Sequence, residues 1–352
     1  MSFPGPPAQA ADLPDARRGP ARTAGRVAVG TTGCVLIALL GVAAATHGTG
    51  ELPLPAAGTT TLLHAVVFAA LAVHLGEFTG TRVARAAAKA PVSGDPAQDP
   101  DAPAGAGPVP AARVAGRDRP APRALAAVAS LAGAGASAGQ LVLLSAVSGM
   151  DLAAVYGTAD GRLLLVMTAG FLLAAGCAAL SRRGWAPAPL AAVVCAEAVR
   201  AHPEQFSPFA GSALTAVHLT AAALWSGGLL YGVRLLWSAR GDRPYTRAVL
   251  ARQSRHTGWL IAALAATGTL CVLRKLPFEV ALTSAYGRVL LLKLVLVGAA
   301  GACALGARRR LRGEAGAGSA VYAQLAVLLG VVLVSAVLTV VPDPHWLALE
   351  RR

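Results

Sequence analysis

Long apolar runs alternate with short polar breaks rich in arginine along most of the chain. A bilayer core about 30 Å thick needs about 20 helical residues to cross it. By that ruler nine stretches are candidate spans, at roughly 27–46, 59–80, 123–147, 161–181, 186–201, 210–236, 256–274, 285–307 and 319–341. The fifth is short and holds Cys195 and Glu197, so the count is eight or nine. The pattern predicts an all-α, polytopic transmembrane helical bundle. Residues 1–26 are polar and contain Pro and Arg, and no small-residue cleavage site follows the first apolar run convincingly. They read as a disordered cytoplasmic tail rather than a cleavable signal peptide. Residues 89–122 are dense in Pro, Ala, Gly, Asp and Arg without apolar periodicity, as expected of a disordered cytoplasmic linker. The expected divisions are therefore 27–88 (two spans), 123–209 (three spans), 210–341 (four spans) and an outer tail at 342–352.

Composition agrees with a membrane class. Hydrophobic residues make up 55% of the 352 and charged residues only 14%, against about 25% in soluble domains. The net charge of +14 raises the question of nucleic acid. The basic residues sit between apolar spans, so the positive-inside rule accounts for them better, and no nucleic-acid partner is expected. An N-terminus in the cytoplasm places 23 of the 31 Lys and Arg on the inner side, which predicts N-in and C-out for an odd number of spans. The expected location is the cytoplasmic membrane. The five cysteines all lie in apolar stretches without a CxxC pair and read as small buried hydrophobes.

One stretch carries most of the candidate chemistry. Residues 216–236 read AVHLTAAALWSGGLLYGVRLL. On a helix, His218, Ala222, Trp225 and Leu229 share a stripe, and the Gly227-Gly228 pair allows another helix to approach closely. An imidazole in a span is costly unless it faces the bundle interior and finds a partner. His64 stands at a similar depth in LLHAVVFAALAVHLG, which can be laid on residues 216–230 with His64 opposite His218. Residues 151–170 resemble 279–298 in the same way, with Gly161-Arg162 opposite Gly287-Arg288. Two duplicated four-helix units of parallel sense, plus one extra span, fit these matches.

The two histidines could converge on one site as ligands for copper, zinc, iron or haem, or they could be separate packing residues. His202 and Glu204, after the fifth span, and His47, after the first, could form an outer mouth that gathers metal. Neutral imidazole with carboxylate suits Cu(II) or Zn, and the three methionines argue against a methionine-lined Cu(I) path. Lys293 lies about two turns inside the eighth span, where an ammonium needs a carboxylate or an anionic ligand. Glu197 is the expected partner, and a haem propionate the sharper alternative. A Walker loop, GxSxG, HExxH and CxxC are all missing from the sequence, so catalysis by those routes is not expected.

The stretch HLTAAALWSGGLLYGVRLL, followed by ARQSRHTGWLIAALAATGTLCVLRKLP and LTSAYGRVLLLKLVLVGAAGACALGARRRL, resembles the copper resistance D (CopD) family of bacterial inner-membrane proteins. Arg252, Ser254, Arg255, Thr267, Gly268, Tyr286, Gly287, Arg288 and Lys293 stand where the family has an Arg–x–x–Ser–Arg stretch, a Thr-Gly and a Tyr-Gly-Arg followed by Lys. The likeness covers about residues 210–312. Upstream, AVRAHP resembles the family's Gly-His-Ala segment, with Arg200-Ala201 where a Gly is usual. The resemblance implies copper uptake or copper resistance without enzymatic activity, often beside a secreted copper-binding partner. His64, His202 and His218 are then the expected metal ligands, with His47, Glu204, Trp225 and Lys293 in support. The same helix is also similar to the small bundle-type protoporphyrinogen oxidase, with His218, Trp225, Gly228, Leu229, Tyr231, Arg234 and Lys293 matching it. That likeness implies the alternative of a b-type haem redox protein.

Overall fold

The computed structural model describes residues 19–47, 56–88, 122, 124–182, 184–201, 208–239, 243–275, 282–312 and 318–341. Among them the secondary structure is helical throughout. The helices are α1 (Gly19–Thr46), α2 (Ala57–Ala88), α3 (Ala126–Ser148), α4 (Leu152–Gly157), α5 (Ala159–Ala179), α6 (Pro187–Arg200), α7 (Pro208–Ser238), α8 (Arg243–Lys275), α9 (Ala285–Arg312) and α10 (Gly318–Leu338). Seven of them (α2, α3, α5, α7, α8, α9 and α10) are long and apolar enough to cross a membrane. Within α1, Thr32–Thr46 is a shorter apolar stretch. The chain is a multi-pass, all-helical membrane protein.

Each of the nine expected spans corresponds to a helix, with three differences. Helix α6 has only 14 residues, about 21 Å at 1.5 Å per residue, and stops short of a full crossing. Helix α8 starts at Arg243, thirteen residues ahead of its apolar part, because the polar run to Arg255 continues the same helix. Helix α1 starts at Gly19, inside the stretch expected as tail. The additional short helix α4 is opened by Asp151, whose carboxylate accepts from the Ala154 amide at 2.7 Å. Residues 1–18, most of the expected linker and the tail after 341 lie outside the described residues.

The centre of the bundle is the pair α2 and α7. Gly76 and Gly227 bring the two backbones into direct contact: a Cβ on Gly227 would overlap the Ala72 carbonyl, and one on Gly76 would overlap Gly227 itself. Four residues on, Gly80 leaves room for the Tyr231 ring. Positions that advance together along both chains mean that the helices run parallel. Extending that register about three turns toward their N-termini brings His64 level, to within a turn, with His218. Gly228 faces a different neighbour, the Gln253 side chain of α8. The glycine pair therefore serves two interfaces, one on each side of α7.

Two cores flank the central pair. Leu71, Leu164, Met167, Phe171 and Leu190 are fully buried where α2, α3, α5 and α6 meet. Trp225, Leu229, Val233, Ala300, Val321 and Leu328 form the core of α7, α9 and α10, with Ile261 and Leu264 of α8 against it. Leu40, Leu173, Val295 and Trp259 point outward, as lipid-facing positions should.

The internal repeat has a structural counterpart at the two Gly-Arg sites. Thr158 accepts from the Gly161 amide at 3.0 Å, and Ser284 accepts from the Gly287 amide at 3.1 Å. Each hydroxyl caps the start of its helix. Arg162 and Arg288 then turn their Nε back to a carbonyl of the same approach, Thr158 O at 3.3 Å and Leu282 O at 2.9 Å. Cross-packing also matches, because α6 rests on α7 while α10 rests on α2. The halves differ elsewhere: α3 lies along α5, whereas α8 barely touches α9, which packs instead on α10 and α1.

Candidate functional site

His218 sits in the seam between α7 and α8. Its Nδ1 lies 3.0 Å from Thr267 Oγ1, and that hydroxyl donates to the Ala263 carbonyl at 2.6 Å. A hydroxyl that has spent its proton can only accept, so Nδ1 carries the hydrogen and the basic lone pair is on Nε2. Gly268, next in sequence, lies against the imidazole ring; a Cβ there would come within 3.4 Å of its Cε1. The Thr-Gly pair thus sits directly against the imidazole, with Thr267 bonded to Nδ1 and Gly268 beside the ring.

His64 is fixed in the same sense by a different group. Its Nδ1 is 2.9 Å from the Thr60 carbonyl one turn earlier. A carbonyl only accepts, so again Nδ1 donates and Nε2 holds the lone pair. Metal-binding histidines characteristically donate their second nitrogen in this way, which orients the ring and raises its basicity. The two imidazoles turn apart from the α2–α7 contact. His218 faces α8, while His64 faces α6, with Nε2 at 3.6 Å from Glu197 Oε1.

Around His64 a buried polar cluster assembles from four helices. Arg200 Nη1 lies 3.0 Å from Glu197 Oε2, 3.0 Å from Gln140 Oε1 and 3.8 Å from Met167 Sδ. Arg200 Nε is 4.0 Å from Asp160 Oδ1 at the start of α5. The expected ion pair between Glu197 and Lys293 is not formed, because Glu197 is engaged by Arg200 and His64 on the α2–α6 side. Lys293 is half-buried on α9, with Cys271 of α8 as its electrostatic neighbour. Trp225 packs with 4% of its surface exposed in the α7–α10 core, and its indole nitrogen has no hydrogen-bond partner among the described residues. His47 is exposed at the end of α1, where its carbonyl lies 3.4 Å from Arg288 Nη1. His202 and Glu204 lie outside the described residues.

Toward the opposite end a second polar group appears. Glu77 accepts from the Leu125 and Ala126 amides at 2.7 and 3.0 Å and pairs with Arg234 Nη1 at 2.6 Å. One carboxylate thus caps α3 and ties it to α2 and α7. Close by, His74 Nδ1 is 2.6 Å from Ser130 Oγ. Glu77, Gln140, Arg200 and Thr267 are functional or structural partners that the apolar pattern alone did not single out. Polar residues inside otherwise apolar spans were the available signal. Among the described residues no group of three or more His, Cys, Asp or Glu could hold a metal together.

The arrangement defines a helical membrane protein with two tautomer-fixed imidazoles level with each other in its interior. Residues 247–342 match the family model of copper resistance protein D (CopD), so helices α8 to α10 carry a CopD segment. Thr267 and Gly268 lie inside that match, and His218, which they hold, lies upstream of it. No match was found among curated proteins or among solved structures.

Proposed function

We propose that this protein handles copper at the bacterial cytoplasmic membrane, in uptake or resistance, with His218 and His64 as ligands inside the bundle. The observation that supports the reading most is the shared hydrogen-bond geometry: both rings commit Nδ1–H to oxygen and keep Nε2 as the basic nitrogen. The CopD segment directly beside His218 supplies the choice of metal. His202, Glu204 and His47 recruit the ion at the outer face, where a secreted copper-binding partner would deliver it. With the N-terminus inside, a cation moving inward gains about 2.3 kcal/mol per charge per 100 mV. The protein is then a carrier or tolerance factor rather than an enzyme, with Trp225 and Lys293 as supports of the fold around the path.

The test is copper accumulation in cells carrying His64→Ala and His218→Ala together, beside copper content and an absorption spectrum of the purified protein. The expected result is a loss of accumulation of tenfold or more. Unchanged accumulation would remove both histidines from the path. A Soret band without copper would replace the reading with the b-type haem alternative.

A further inference from the structure

We propose that Glu197 is the second ligand of the His64 copper station, and that Arg200 positions it. The inference rests on the copper reading above. Because the Thr60 carbonyl holds the Nδ1 hydrogen, a neutral His64 presents a bare lone pair at Nε2. What it meets is a carboxylate oxygen at 3.6 Å, beyond hydrogen-bond range. With His64 neutral, two electron-pair donors face each other across this gap, in residues only 8% and 3% exposed, and a cation between them would be held by both. Arg200 compensates the carboxylate charge through Oε2, which leaves Oε1 and the imidazole nitrogen as the pair of donors open to a cation.

The spacing suits a metal. Imidazole nitrogen and carboxylate oxygen bind a small divalent ion at about 2.0–2.2 Å, and at those lengths a 3.6 Å separation corresponds to an angle of about 120° at the ion. The cis angle of about 90° in a tetragonal Cu(II) site would close the pair to about 3.0 Å, a shift of about 0.6 Å. The carboxylate is aimed by Arg200, which takes Oε2 at 3.0 Å and is itself braced by Gln140 Oε1 at 3.0 Å, leaving Oε1 toward the histidine. Among the described residues Asp160 is the further charged group recorded at the cluster, 4.0 Å from Arg200 Nε and largely exposed. An N/O ligand pair favours Cu(II) over Cu(I). Two protein ligands leave further positions to water, and the Arg200 charge opposes tight retention. This is the chemistry of a station that loads and releases, not of a permanent centre. The cluster lies entirely outside the CopD segment, so it gives the helices upstream of that segment their own part in handling the ion.

The experiment is Cu(II) titration of the full-length, detergent-purified protein carrying His47→Ala, His202→Ala and His218→Ala, which leaves His64 as the one proposed imidazole ligand, followed by continuous-wave and pulsed electron paramagnetic resonance. The expected result is one Cu(II) with a single-imidazole signature, weakened at least tenfold by Glu197→Gln and retained by Glu197→Asp. An unchanged affinity and spectrum in Glu197→Gln would overturn the proposal while leaving the copper reading intact. If Glu197→Gln fails to fold, His64→Gln, which keeps the Glu197–Arg200 pair, decides: a persisting single-imidazole signal overturns the site. If the unmutated protein binds no copper in either oxidation state, the copper reading fails, and this inference with it.

Discussion

His64 and His218 stand at one height on two parallel helices, in stretches of sequence that can be laid on each other, yet they live in different surroundings. The first is walled by charge: Glu197, Arg200 and Asp160, with Gln140 completing the ring. The second is walled by a threonine hydroxyl, a glycine and, two turns further along α7, an indole in a hydrocarbon core. Both solve the same local problem, which is to fix a tautomer. They differ in what the basic nitrogen then confronts. At His64 the basic nitrogen faces the Glu197 carboxylate at 3.6 Å, whereas at His218 the described hydrogen bond is to a neutral hydroxyl. Two helices whose sequences can be laid on each other thus hold an imidazole by the same ring nitrogen and differ in the charge around it.

The largest effect should come from the contact that joins the halves. Gly227→Leu drives a side chain into the Ala72 carbonyl, and since the obstacle is backbone, the loss should exceed the about 1–3 kcal/mol usual for overpacking. Size-exclusion chromatography should show little monodisperse protein. Next comes Glu77→Ala, which removes the carboxylate shared by Arg234 and the Leu125 and Ala126 amides. A loss of about 3–5 kcal/mol is expected from breaking a buried pair, read as a lower melting temperature in detergent. The histidine sites are then separable. Thr267→Val removes the acceptor for His218 Nδ1–H, and copper affinity at that site should fall about 10–100-fold, while Thr267→Ser retains it and the His64 site is untouched. The smallest effect is expected at Trp225→Phe. Its indole nitrogen has no partner among the described residues, so the change should cost less than about 1.5 kcal/mol by thermal melting and leave copper binding unaltered.

Much of this was readable from the chain. Span lengths follow from hydropathy because the bilayer imposes one thickness, and α3, α5, α7 and α10 fall within three residues of their expected limits, while α2 and α9 run eight and five residues further at their C-terminal ends. The start of α8 was not readable, since a hydropathy ruler sees only the apolar part of a helix whose polar first turns extend beyond it. The histidine stripe and the glycine pair were legible from helical periodicity. Their partners were not. Thr267 lies 49 residues from His218, and Glu77 lies 157 from Arg234. No period links such pairs; only tertiary packing does. The Lys293–Glu197 pairing failed for this reason: the rule that a buried charge needs an opposite charge was sound, but Arg200, one turn away on the same helix, was the nearer cation.

The Glu77 clasp has a consequence for the covalent path of the chain. The start of α3 is located through space, by a side chain of α2 that grips two of its amides. Leu125 and Ala126, through this clasp, set where α3 begins, whatever the length of the 89–121 interval that leads to them. Lengthening such a connection costs only about 0.6 kcal/mol per doubling. That interval is a place where the gene can accept inserted text, or where the polypeptide can be made as two pieces, while the bundle on either side keeps its address.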